Sequence, residues 1–158
     1  MDPVTIANEA TLIYDNITKN SNAVVTRILS LYDLTATKEA LLDSYTPGQT
    51  ITYITRVENT GSASLYNLTI VDDLANGTLQ YIDTSIEGYL NGSPIEIDVQ
   101  KTANTVTFKI DNVLNPNDNV LIIFETTTPT TNPEQITNTQ TITAVSYTHL
   151  RAHETLRH

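Results

Sequence analysis

The chain has 158 residues, 39% of them apolar, enough for one ordinary domain with a core and some length left at the ends. Its 8 Lys and Arg against 18 Asp and Glu give a formal net charge of -10, which excludes a nucleic-acid partner and disfavours anionic membrane surfaces. With no Cys, it has no disulfides, thiol nucleophiles or Cys-ligated zinc.

In chain order, residues 4–31 come first. Residues 6–12, Ile-Ala-Asn-Glu-Ala-Thr-Leu, line up with 136–142, Ile-Thr-Asn-Thr-Gln-Thr-Ile, at an offset of 130. That spacing is too long for a solenoid and suits tandem domains. A polar turn over 15–20 leads to a second strand over 21–28, so 4–31 reads as the closing hairpin of a preceding repeat.

From 33 to 145 the sequence alternates apolar and polar residues in short runs, with turn residues every eight to twelve positions. A first strand carries Lys38. Thr46-Pro47-Gly48 is a turn into a strand whose one face is Ile51, Tyr53, Thr55 and Val57, ending at Asn59-Thr60-Gly61. Tyr66, Leu68 and Ile70 share the face of the next strand. Asn76-Gly77 opens a turn before a strand over 79–82, and Asn91-Gly92 predicts a tight hairpin between 89–90 and 95–97. Strands follow over 105–110 and 120–124, separated by the turn 115–118. The Thr-rich stretch 126–131 reads as an extended loop leading to a last strand over 136–144. This is the pattern of an antiparallel sandwich or barrel, with almost no helical periodicity.

Residues 146–158 differ in character. They are basic, strand-poor and resemble translated sequencing-adapter read-through, so they are taken as a non-native tail. All three histidines, His149, His153 and His158, fall there, and the spacing of the first two is not read as a zinc site. The domain 33–145 is then expected to lack its final strand. Residues 4–31 either supply it by strand complementation or hang as an arm.

Several segments in this order resemble a known family. They are Lys38, then Pro47-Gly48-Gln49-Thr50-Ile51-Thr52-Tyr53, Val57-Glu58-Asn59-Thr60-Gly61, Leu68-Thr69-Ile70-Val71-Asp72-Asp73-Leu74, Leu114-Asn115-Pro116-Asn117-Asp118 and Ile136-Thr137-Asn138-Thr139. Together they are similar to the bacterial cell-surface repeats catalogued as domain of unknown function eleven. Ala75 stands where that pattern has Pro, and Asn117 where it has Gly. The resemblance implies an all-β, immunoglobulin-like antiparallel β-sandwich and a place in extracellular arrays.

Strand parity adds a prediction that does not depend on the family. Side chains two apart share a face. Lys38 is in phase with Leu34, Ala36, Ala40 and Leu42; Asp72 with Tyr66, Leu68 and Ile70; Asn138 with Ile136, Ile142 and Ala144. Three polar residues on three strands thus point toward one core. A buried lone charge costs several kcal/mol, on the order of a pKa shift of several units, so such groups pair or neutralise. A Lys, an Asp and an Asn brought together in this way form the arrangement of a self-made intramolecular isopeptide bond. Desolvated Lys38 attacks the Asn138 carboxamide, while a protonated Asp72 polarises the carbonyl and shuttles protons as ammonia leaves. The competing arrangements are a plain buried Lys-Asp pair, or a Lys38 that snorkels past the sheet edge while Asn138 caps a backbone group. Glu58, the alternative acid, is out of phase with Tyr53 and Val57.

Other candidates lead elsewhere. With the tail set aside, no His or Cys remains as a hydrolase base. Asp72 and Asp73 face opposite ways on a strand and cannot flank one glycosidic bond. Asp111, Asn112, Asn115, Asn117 and Asp118 lack the spacing of a calcium loop and read as a solvated turn. The Asn-x-Thr triplets at Asn16, Asn67 and Asn76 are common accidents in such a composition.

The reading is therefore a structural stalk or spacer repeat of a secreted or cell-surface bacterial protein, not an enzyme. It needs no cofactor or metal, and its partners are neighbouring repeats. No apolar run reaches membrane-spanning length. The alternative is an adhesin-type module that binds a glycan or host protein through its loops.

Overall fold

The computed structural model describes residues 31–131 and 135–146 in full, and the backbone of four strands between 4 and 28. Those four are β1 (Val4–Asn8), β2 (Thr11–Tyr14), β3 (Ile17–Asn20) and β4 (Val24–Ile28). β1 pairs antiparallel with β4, and β2 with β3, Tyr14 lying opposite Ile17. Residues 17–20, read from sequence as part of a polar turn, are strand instead. Among the described residues these strands form ladders only with one another.

The remaining strands are β5 (Leu34–Ala40), β6 (Thr50–Asn59), β7 (Tyr66–Asp72), β8 (Gln80–Tyr81), β9 (Glu87–Leu90), β10 (Ser93–Pro94), β11 (Asp98–Lys101), β12 (Val106–Ile110), β13 (Asn119–Thr127) and β14 (Gln140–Val145). They make two antiparallel sheets. One runs β10-β9-β13-β6-β5, with β8 also on β13, and the other runs β11-β12-β7-β14.

Alternation explains why the sheets face each other. On β6, Ile51, Tyr53, Thr55, Val57 and Asn59 are buried while their neighbours are more exposed, and β13 does the same with Val120, Ile122, Phe124 and Thr126. From the other sheet, Leu68, Ile70, Val106, Phe108 and Ile110 answer them, all at most 1% exposed. Each such apolar side chain contributes about 1.5–3 kcal/mol. Phe108 and Phe124 meet between the sheets with ring centres 5.0 Å apart, and Tyr53 stacks on Phe124 at 5.5 Å.

Three turns follow the sequence reading. Gln49 N–H closes onto Thr46 O at 3.1 Å with Gly48 at φ 76°. Asn91 (φ 49°) and Gly92 (φ 82°) form the two-residue turn that sets Leu90 opposite Ser93, and Asn117 (φ 68°) takes the left-handed conformation that a Gly would adopt.

Elsewhere the elements differ. The strand expected over 79–82 is only β8, and the hairpin arm expected at 95–97 lies outside the ladder, which ends at Pro94. Ile95 N–H still reaches Gly88 O at 2.9 Å, and Ile97 packs over Gly88, where a side chain would collide with it. β11 was not anticipated. The last strand begins at Gln140 rather than 136, because the backbone of Thr139 is engaged by Asp73: Thr139 N–H donates to Asp73 Oδ1 at 3.0 Å, and Asp73 N–H donates to Thr139 O at 3.1 Å.

β5 and β14 are each the last strand on their side of the two sheets. As an edge, β5 is covered at Leu34 and Lys38 only; Ala36, Ala40 and Leu42, expected on the same inward face, are exposed.

Candidate functional site

Lys38 reaches inward from the edge strand β5, its side chain only 14% exposed, to Asp72, which is fully buried at the end of β7. Lys38 Nζ lies 2.7 Å from Asp72 Oδ2 and donates to the backbone carbonyl of Asn138 at 3.2 Å. The three residues picked out by strand parity thus meet, although Asn138 sits just ahead of β14 and not within it.

Asp72 is held by three donors. Besides Lys38, Gln140 Nε2 donates to Oδ2 at 2.9 Å and Leu74 N–H donates to Oδ1 at 2.9 Å. The Gln140 amide is itself oriented by Thr55 Oγ1, which donates to Gln140 Oε1 at 2.8 Å. The face of β6 completes the floor, with Lys38 Nζ standing 4.7 Å above the centre of the Tyr53 ring.

The Asn138 side chain is oriented by its oxygen. Ala75 N–H donates to Asn138 Oδ1 at 3.1 Å, while Asn138 Nδ2 is buried with no acceptor in hydrogen-bonding geometry. An unpaired buried amide donor of this kind costs about 1–3 kcal/mol. The Tyr53 hydroxyl faces the Asn138 side chain. Burial pushes the pKa of that hydroxyl up, the Asn138 side chain opposes the rise, and the charge of Asp72 adds to it.

Burial also decides the Lys38 titration. Desolvation holds its pKa below the usual 10.5, and the attraction and hydrogen bond of Asp72, with a smaller pull from Asp73, recover only part of that loss. For Asp73, partial burial pushes upward, but Thr139 Oγ1, Thr139 N–H, Ala75 N–H and the Lys38 charge together draw its carboxyl below the ordinary value.

Sequence reasoning missed three contributors. Gln140 and Tyr53 carried a usable signal, being two residues along from Asn138 and on the inward face of β6 respectively. The Ala75 N–H carried none, because a backbone donor leaves no mark in composition. Glu58 is exposed on β6, on the face opposite the cluster.

In the Asn- and Asp-rich turn the Asp118 carboxylate is already engaged. Asp118 Oδ1 accepts from Asn91 Nδ2 at 2.7 Å and Asp118 Oδ2 from Asn115 N–H at 2.8 Å. Among the described residues no group of three or more His, Asp or Glu gathers as a metal site, and no helix is long and apolar enough to cross a membrane. His149, His153 and His158 lie outside the described residues, as does most of the segment 146–158.

No family model matches the chain, and no curated protein matches it. Among solved structures it is similar to the pilus backbone RrgB of Streptococcus pneumoniae, at 13% identity and a TM-score of 0.55 over 71% of this chain and 31% of that one. It is also similar to BcpA, the major pilin subunit of Bacillus cereus, at 12% identity and a TM-score of 0.54 over 87% of this chain and 42% of that one. The chain thus spans less than half the length of either pilin. What the likeness establishes is the fold, an immunoglobulin-like antiparallel β-sandwich of the kind that pilin domains have.

Proposed function

We propose that this chain is a structural stalk or spacer repeat of a bacterial cell-surface protein, and that Lys38, Asp72 and Asn138 close an intramolecular isopeptide bond within it. The stalk reading is supported by a sandwich fold shared with pilus backbone subunits and by the ordered motifs of the surface-repeat family. Neighbouring repeats are its partners in such an array.

The bond reading rests on one observation: a nearly buried Lys38 amine and an unpaired, buried Asn138 amide lie together with the Asp72 carboxylate. Both groups are costly as they stand, and one condensation removes both costs. The ammonium proton passes from Lys38 Nζ to Asp72. The neutral amine then adds to Asn138 Cγ, and the Cγ–Nδ2 bond breaks. The proton on Asp72 goes to the departing nitrogen, which leaves as ammonia, and Nζ passes its second proton to Asp72 to become the amide N–H. One bond forms and one breaks, with no oxidant or cofactor, and the reaction occurs once per molecule.

The product spans 100 residues of sequence. Closing such a loop restricts the unfolded chain in the manner of a disulfide, stabilising by about 4–5 kcal/mol. Intact mass of the purified protein tests the reading. The wild type is to be lighter than its sequence by one ammonia, and Lys38→Ala and Asn138→Ala are to have their full sequence masses. A wild-type mass equal to the sequence value refutes it.

A further inference from the structure

Leu74, Ala75 and Asn76 take φ angles of 48°, 52° and 56°, and Gly77 follows at 80°. Asn and Gly accept this conformation readily, whereas Leu and Ala are strained in it. The result is one left-handed turn directly after Asp72-Asp73. It is fastened by Gly77 N–H on Asp73 O at 3.2 Å and Leu79 N–H on Leu74 O at 2.9 Å, and by a Leu74 side chain only 3% exposed.

The turn aims consecutive N–H groups into the cluster. Leu74 N–H meets Asp72 Oδ1 at 2.9 Å, and Ala75 N–H is shared between Asp73 Oδ1 at 2.9 Å and Asn138 Oδ1 at 3.1 Å. Both Asp72 oxygens are occupied by Leu74, Lys38 and Gln140. The group on the Asn138 carbonyl oxygen is therefore a backbone amide and not the Asp72 acid.

From this arrangement the geometry points to Ala75 N–H as the oxyanion donor of the cross-linking step, an inference that rests on the bond reading above. As the lone pair of Lys38 Nζ enters Asn138 Cγ, the carbonyl electrons move onto Oδ1, where Ala75 N–H stabilises them. They return as the Cγ–Nδ2 bond breaks and ammonia leaves with the proton relayed through Asp72. Asp72 then serves as proton carrier alone. Position 75 is one of the two where this chain departs from the surface-repeat pattern. The Pro of that pattern has no N–H to give, and its ring cannot adopt a φ of 52°.

The test replaces the Ala75 amide by an ester in the full chain, using lactic acid incorporated by suppression in cell-free translation. Intact mass is then followed over time after translation stops. The ester protein is to lose ammonia about 100-fold more slowly than wild type, while Ala75→Gly, which keeps the N–H and favours the turn, stays within about threefold. An ester protein as fast as wild type overturns the inference and leaves the bond reading intact. An Ala75→Gly as slow as the ester also overturns it, because turn shape and not the donor is then responsible. A wild type that never loses ammonia overturns both. Should the ester protein not fold, Lys38→Gln, which removes the nucleophile and keeps a neutral polar side chain, decides the matter by NMR. A through-hydrogen-bond coupling between Ala75 N and Asn138 Cγ supports the donor, and its absence in the folded variant refutes it.

Discussion

Lys38 Nζ and Asp72 Oδ2, 2.7 Å apart, join the outermost strand of one sheet to the interior end of a strand in the other. A fully buried carboxylate facing a nearly buried ammonium is costly to break from one side only. Asp72→Ala leaves Lys38, Gln140 and Leu74 N–H without their acceptor and is expected to destabilise the fold by about 3–5 kcal/mol. Asp72→Asn preserves the shape but cannot carry a proton. It is expected to fold and retain its full sequence mass, so an Asp72→Asn protein that loses ammonia at the wild-type rate removes Asp72 from the reaction.

Lys38 gives the reaction a pH dependence of definite sign. Its folded pKa lies below 10.5, so the neutral amine becomes available at lower pH than for a free lysine. The proton that Asp72 relays comes from Lys38, however, so the rate of ammonia loss is expected to fall as pH rises through the lowered Lys38 pKa and strips the pair of it. In unreacted Asn138→Ala the same shift acts on stability. The folded state gives up the Lys38 proton first, so stability rises with pH between the folded pKa and the unfolded value. Urea unfolding midpoints from about pH 7 to about pH 10 are to climb in Asn138→Ala relative to the Lys38→Met, Asn138→Ala double variant.

Asn59 closes the far end of β6 with no exposed surface. Its Nδ2 donates to Ala63 O and Leu114 O, both at 2.9 Å, and its Oδ1 accepts from Gly61 N–H at 3.1 Å. Asn59→Ala removes three hydrogen bonds, and although Leu114 O keeps Leu65 N–H and Gly61 N–H keeps Asp33 O, Ala63 O loses its side-chain donor, so the change is expected to cost about 1–3 kcal/mol, seen as a lower urea midpoint at unchanged slope. A loss under about 1 kcal/mol means that water replaces these bonds.

Gly88 has no room for a side chain beneath Ile97. Gly88→Ala is expected to lose about 1–3 kcal/mol by overpacking. Ile97→Ala should recover much of that in the double variant, so strictly additive costs contradict this close packing.

Much of this was legible in the sequence wherever period-two alternation met a defined turn. The inward faces of β6 and β13, the Asn91-Gly92 hairpin and the convergence of Lys38, Asp72 and Asn138 all follow from parity and turn chemistry. Parity failed where a side chain or a strained turn displaces the ladder. Asp73 binds the Thr139 backbone, so pairing starts at Gln140, and the left-handed turn after Asp73 shortens the strand expected at 79–82. Edge position escaped it too: Ala36, Ala40 and Leu42 alternate correctly yet are exposed at the rim of the sheet.

Leu34 and Ala144 line the same shallow groove, so the sandwich receives and releases its chain at one end. Tension applied at residues 31 and 146 therefore peels β5 from β6 and β14 from β7 rung by rung instead of shearing them. In the cross-linked form the pull crosses from Lys38 to Asn138, and everything between 39 and 137 is spared. Only the two short ends can then unravel, yielding about 60 Å of slack against roughly 400 Å for an unlinked chain. A linked module would thus serve as a nearly inextensible segment of a surface fibre, with its core left out of the line of force.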